Sequence, residues 1–204
     1  MEGSALATSI TLVRFPLLGI CLAMLYLGSP PLRLAGAALL FLGLLLDTVD
    51  GVVARARSET SLKGSVLDIA ADRTYELSLW TSFAHLGLVP AIIPLAVVAR
   101  TALTDALRSV GVVEGTPPFD QQRGPIGRFL VASAWMRTGY SSTKVGAFCG
   151  LALAHAFLGF PAGSELHHSA SAVLAAGQLA AWIALLFCLV RGAPVIVEGL
   201  RRQG

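Results

Sequence analysis

Charge is scarce in this chain. Only 13% of its 204 residues are charged, against about a quarter in an ordinary soluble domain, while 55% are hydrophobic. Mean hydropathy is +0.73. Such a composition excludes a soluble globular domain and points to a polytopic membrane protein. Cysteine is also sparse: Cys21, Cys149 and Cys188 are far apart within apolar segments, which excludes a zinc site and a disulfide framework and leaves them as small hydrophobes. The net charge of +3 gathers in particular loops with no interleaved aromatics, so nucleic acid is not an expected partner. No basic residue precedes the first apolar run and no small-residue cleavage site clearly follows it, so a cleavable signal peptide is not expected.

What is present is a set of apolar runs. A span needs roughly 20 mostly apolar residues, and six candidates emerge: Ile10 to Leu27, Leu34 to Arg55, Gly64 to Leu86, Pro90 to Leu107, Val145 to Phe160 and Ala170 to Val190. The fold expected is all-α, a single membrane domain over residues 1–204 with six transmembrane helices and an interfacial N-terminal lead-in. Arg55, Arg57 and Lys63 lie between spans two and three; Arg108, Arg123, Arg128, Arg137 and Lys144 follow span four; Arg201 and Arg202 close the chain. The opposite connections are nearly free of Lys and Arg, with Arg33 the exception, so both termini and this basic side are expected in the cytoplasm. Residues 127–137, with Arg128, Trp135 and Arg137 on an apolar background, read as an interfacial helix.

Against this background Asp47, Asp50, Asp68 and Asp72 stand out. Carboxylates at membrane depth cost several kcal/mol each unless paired, hydrated or metal-bound. On helices, Asp47 and Asp50 are i,i+3 neighbours and Asp68 and Asp72 are i,i+4 neighbours, so each pair shares a face. Convergence of the two pairs would call for hard divalent cations with oxygen ligands, Mg2+ or Mn2+ and two of them, the apparatus that steadies attacking and leaving oxygens at phosphorus. Gly51 removes a side chain beside Asp50 where a ligand could touch the backbone, and Arg55 one turn on can reach a phosphate with a forked donor.

The full pattern, D-x2-D-G-x2-A-R-x8-G-x3-D-x3-D over residues 47–72, resembles the signature of the CDP-alcohol phosphatidyltransferases, membrane enzymes of phospholipid synthesis. Eight fixed positions would coincide by chance on the order of 10^-10 per start site. The resemblance implies transfer of a phosphatidyl group from CDP-diacylglycerol, or a similar CDP-lipid, to an alcohol, with release of CMP. It implies Asp47, Asp50, Asp68 and Asp72 as metal ligands, Asp72 also as the base that deprotonates the acceptor, and Gly51, Ala54, Arg55, Ser61, Gly64 and Thr11 at the nucleotide lipid. It further implies a homodimer in a cell membrane, bacterial or archaeal, with the later spans at the contact.

Acceptor choice rests on residues outside the motif. Arg100 and Arg108 near the end of span four, Lys144 opening span five and Arg191 closing span six could ring a cytoplasmic pocket for an acceptor bearing its own phosphate, such as glycerol 3-phosphate or inositol phosphate. The positive-inside bias alone would also place basic residues there. Arg14 reads equally as a substrate contact and as a side chain snorkelling to lipid headgroups. Glu76, one turn beyond Asp72, reads as a further acid or as the partner of an arginine in span four. His85 and His155 read as satisfied polar residues, and His167 and His168 as an external loop pair. Two other functions use related residues: an Asp-rich membrane prenyltransferase, which separates its aspartates into distant halves of the chain, and a divalent-cation transporter, which carries polar residues midway along several helices.

Overall fold

The computed structural model describes residues 2–57, 62–113 and 125–201, with side chains described for 13–45, 67, 69–109, 127–131 and 133–201. Seven helices follow one another: α1 (Glu2–Leu27), α2 (Pro30–Arg57), α3 (Leu62–His85), α4 (Ile92–Val113), α5 (Pro125–Ala132), α6 (Ala134–Leu158) and α7 (Glu165–Arg201). Among the described residues there is no strand. The connections are written in the sequence. Pro30 opens α2 at the first helical position, where its missing N–H is no loss. Gly87, at φ 72°, ends α3 in the left-handed conformation, and Gly87 N–H and Leu88 N–H close back onto the carbonyls of Ala84 and Phe83.

The six long helices have 22 to 37 residues. At about 1.5 Å per residue each is long enough to reach across a hydrocarbon core of about 30 Å. Only α7 among the described residues is both long and continuously apolar enough to cross on its own; α1 and α2 supply the shorter apolar stretches Val13–Leu27 and Pro30–Leu45.

Four boundaries differ from the sequence reading. The N-terminal lead-in is continuous with α1 rather than a separate element, and Pro16 lies inside that helix. Residues 127–137 are not one interfacial helix: the chain breaks at Ser133, with ψ of 133°, so Arg137 belongs to the first turn of α6. That helix begins eleven residues before the apolar run at Val145, because its polar turns find partners on α3 and continue the helix where hydropathy suggests a loop. Likewise α7 starts at Glu165, placing His167 and His168 in a helix rather than a loop, and runs through Pro194 to Arg201.

A single core joins these helices. Trp80 and Phe83 of α3 meet Phe148 of α6, with ring centroids 4.7 and 6.1 Å apart. α6 and α7 pack most extensively, crossing at Gly150 and Gly177, where a methyl on Gly150 would come within 3.1 Å of the Gly177 Cα. Small residues let backbones approach closely where lipid offers no hydrophobic drive between helices. At the end of the bundle near the α1–α2 and α3–α4 connections, His155 bonds the Leu25 carbonyl and the Gln178 amide donates to the Leu88 carbonyl, so His155 is the satisfied helix residue expected.

Candidate active site

The site begins with α2 and α3, which only four residues separate in the chain and which both pack against α1. A methyl placed on Gly43 of α2 would lie 3.4 Å from the Tyr75 hydroxyl oxygen of α3 and 3.4 Å from Leu17 of α1. Asp47 and Asp50 lie four and seven residues beyond Gly43 on the same helical stripe, while Asp72 and Asp68 lie three and seven residues before Tyr75 on its stripe.

Asp72 is half-exposed and accepts a 2.8 Å hydrogen bond from Arg14 Nη2 of α1. The Arg14 guanidinium also lies 5.6 Å from the Tyr75 ring centroid. Arg14 is therefore neither free at the membrane surface nor merely an anchor: it orients the carboxylate. A small cluster of Arg14, Leu17, Gly43, Asp72 and Tyr75 thus joins three helices beside the motif.

One turn further along α3 the carboxylate stripe enters the core. Glu76 is 5% exposed; it accepts from Tyr140 Oη at 2.6 Å and from Lys144 Nζ at 2.9 Å, with Arg73 Nη1 3.6 Å away. The arginine expected from span four is absent from this group. α4 contributes an acid instead, Asp105, which pairs with Arg73 Nε at 3.1 Å. A buried carboxylate that satisfies two donors on another helix reads as a strut between α3 and α6.

Tyr140 links this strut to the basic residues. Lys144 Nζ and the Arg191 guanidinium lie 4.6 and 5.5 Å from its ring centroid. Arg191 in turn lies within electrostatic reach of Arg100, Arg108 and Arg137. Arg100 is 7% exposed, and its Nε and that of Arg191 are buried without a hydrogen-bond partner; Arg191 Nη2 donates to the Val131 carbonyl at 3.4 Å. Asp105 acts on Arg108 and is also paired with Arg73. Three of the four residues expected to hold an acceptor are thus neighbours, while Lys144 is neutralised by Glu76.

Ser61 lies outside the described residues. Thr11, Asp47, Asp50, Gly51, Ala54, Arg55, Gly64 and Asp68 have helical backbone in α1, α2 or α3, and their side chains lie outside the described residues. Among the described residues, no three His, Cys, Asp or Glu side chains cluster as a metal site; Asp72 alone of the motif carboxylates belongs to that set. An open cleft of about 630 Å³, lined by Tyr26, Ser78, Thr81, Ser82 and His85, lies at the other end of α3 and holds none of the candidate residues. Sequence reasoning missed Tyr140, Arg73 and Asp105. Tyr140 and Lys144, i,i+4 on one helix, were the available signal, passed over because the fifth span is drawn from the apolar run at Val145.

The family profile for CDP-alcohol phosphatidyltransferases matches residues 4–190, nearly the whole chain. The chain belongs to the CDP-alcohol phosphatidyltransferase family. No curated protein matches it significantly. The match runs from Ser4 in α1 to Val190 in α7, one residue short of Arg191, so both the acidic motif and Arg100, Arg108 and Lys144 fall inside it. Family membership makes this a transferase of phospholipid synthesis, in a family typically integral to membranes, acting on a CDP-linked alcohol and an acceptor alcohol. Members of this phosphatidyltransferase family use divalent metal ions. The residue types fit such ions: Asp47, Asp50, Asp68 and Asp72 carry hard oxygen donors.

Proposed function

We propose that this phosphatidyltransferase moves the phosphatidyl group of CDP-diacylglycerol, or a closely similar CDP-lipid, onto an alcohol that carries its own phosphate, releasing CMP. The observation that carries the reading is the family match over residues 4–190, which contains the whole D-x2-D-G-x2-A-R-x8-G-x3-D-x3-D pattern of residues 47–72. Two Mg2+ or Mn2+ ions held by these carboxylates would neutralise the pyrophosphate and the developing charge on CMP. The protein supplies the rest. Arg55, one turn beyond Gly51, grips the pyrophosphate, while Gly51, Ala54 and Gly64 leave room for the nucleotide and Ser61 and Thr11 bond it. Arg14 holds the Asp72 carboxylate in place. Asp72 accepts the proton of the acceptor hydroxyl as that oxygen bonds to the lipid-side phosphorus and the bond to CMP breaks.

The acceptor end is the group of Arg100, Arg108 and Arg191. Burying several arginines close together costs free energy, and a phosphate dianion among them offsets it. This favours glycerol 3-phosphate or an inositol phosphate over an uncharged polyol; Lys144, bound to Glu76, stands behind the group. In this reading all six long helices cross the membrane, both termini and the site face the cytoplasm, and two copies associate.

The test is CMP release by purified protein with CDP-diacylglycerol, with and without Mg2+, across a panel of glycerol 3-phosphate, inositol 1-phosphate, glycerol, inositol and serine. Mg2+-dependent release with a phosphorylated acceptor is expected. Release with the uncharged alcohols or serine alone would refute the acceptor assignment.

A further inference from the structure

The two helices that carry the basic group run parallel and in step. Gly192 of α7 receives Arg100 of α4, and seven residues later on both helices Gly199 receives Leu107. The two glycines do different work. A methyl on Gly199 would meet an uncharged leucine, Cδ2 at 2.9 Å, Cδ1 at 3.0 Å and Cγ at 3.1 Å, none of it part of the basic group. A methyl on Gly192 would fall 2.6 Å from Arg100 Nε, 2.8 Å from its Cγ and 3.2 Å from its Cδ. Those atoms include the root of the side chain, so the arginine cannot swing its tip aside to make room. Gly192 is itself buried, and Arg100 is 7% exposed with an unpartnered Nε.

We infer that Gly192 is a positioning residue: its bare backbone is the surface across which the Arg100 stem lies, aiming the guanidinium at the phosphate of the acceptor alongside Arg191. The inference rests on the phosphorylated-acceptor reading above and adds a determinant of acceptor affinity that contacts no substrate. Any side chain at 192 would displace Arg100 and weaken the site for a phosphomonoester, leaving the CDP-lipid end untouched.

The experiment measures binding of glycerol 3-phosphate and inositol 1-phosphate to detergent-solubilised full-length protein by calorimetry, with Mg2+ withheld so that no turnover occurs. Gly192→Ala is expected to weaken binding of whichever ester the wild type takes by about tenfold, the scale of one charge-assisted hydrogen bond. Gly199→Ala perturbs the same helix pair and is expected to leave that affinity unchanged. An equal loss in both variants would reduce Gly192 to a packing role and overturn the inference. Arg100→Ala removes the obstructed side chain, so Arg100→Ala/Gly192→Ala has room for the methyl and is expected to fold and bind like Arg100→Ala alone. A further loss in the double variant would overturn the inference while leaving the acceptor reading intact. Unchanged affinity in Arg100→Ala, or no binding of either ester by the wild type, would overturn the acceptor reading and this inference with it. In turnover assays Gly192→Ala should raise the acceptor KM about tenfold with kcat and the CDP-lipid KM within about twofold; a fall in kcat alone would also count against it.

Discussion

The acidic stripes of α2 and α3 and the basic group of α4 and α7 sit in the same family of enzyme, yet they are built in opposite ways. The acidic residues are local: eight fixed positions within residues 47–72, on two helices joined by four residues. The basic residues are dispersed over more than ninety positions from Arg100 to Arg191 and meet because α4 and α7 pack in parallel, with Arg100 and Leu107 of α4 against Gly192 and Gly199 of α7. A motif of the first kind is legible because helical periodicity converts spacing directly into a shared face. The second kind depends on which helices become neighbours, and no local spacing encodes that.

Breaking the acidic side should have the larger effect. Asp72→Asn keeps the shape but cannot accept the proton, and is expected to lower kcat by about 10^3-fold. CMP release checks it, with CDP binding retained; full turnover would remove Asp72 from the chemistry.

The strut between the two regions comes next. Glu76→Ala leaves Lys144 and Tyr140 without their buried acceptor and is expected to cost about 3 kcal/mol of stability. Thermal unfolding in detergent reads it, and a melting point like the wild type's would show that the strut does not couple α3 to α6.

The smallest expected effect sharpens the comparison most. Tyr140→Phe keeps the ring between Lys144 and Arg191 and removes only the 2.6 Å bond to Glu76. A loss of about 1 kcal/mol in stability is expected, with kcat in the CMP-release assay within about twofold. A large fall in kcat at unchanged stability would mean that the acidic and basic regions communicate through Tyr140 rather than merely sharing it.

The long helices, their order and most of their boundaries were legible in the sequence, because apolar runs and Gly-Pro punctuation specify them locally. The start of α6 was not. The sequence reading places Arg137 in a separate interfacial helix and begins the fifth span only after Lys144, because the apolar run starts at Val145; the structure joins them in one helix whose Tyr140 and Lys144 bond Glu76 of α3. Arg14 was similarly ambiguous until its partner appeared: both candidate roles concerned lipid or substrate, and the structure pairs it with Asp72.

By itself the sequence determined the class of molecule, the family, and the helical faces on which its carboxylates lie, since composition and short-range periodicity act through backbone geometry common to every helix. Tertiary structure alone decided the pairing of charges: Arg14 with Asp72, Lys144 with Glu76, Arg73 with Asp105, and Arg100 laid over Gly192. A charge buried among apolar helices is stable only beside its complement, and which complement it meets is set by the register between helices distant in the chain.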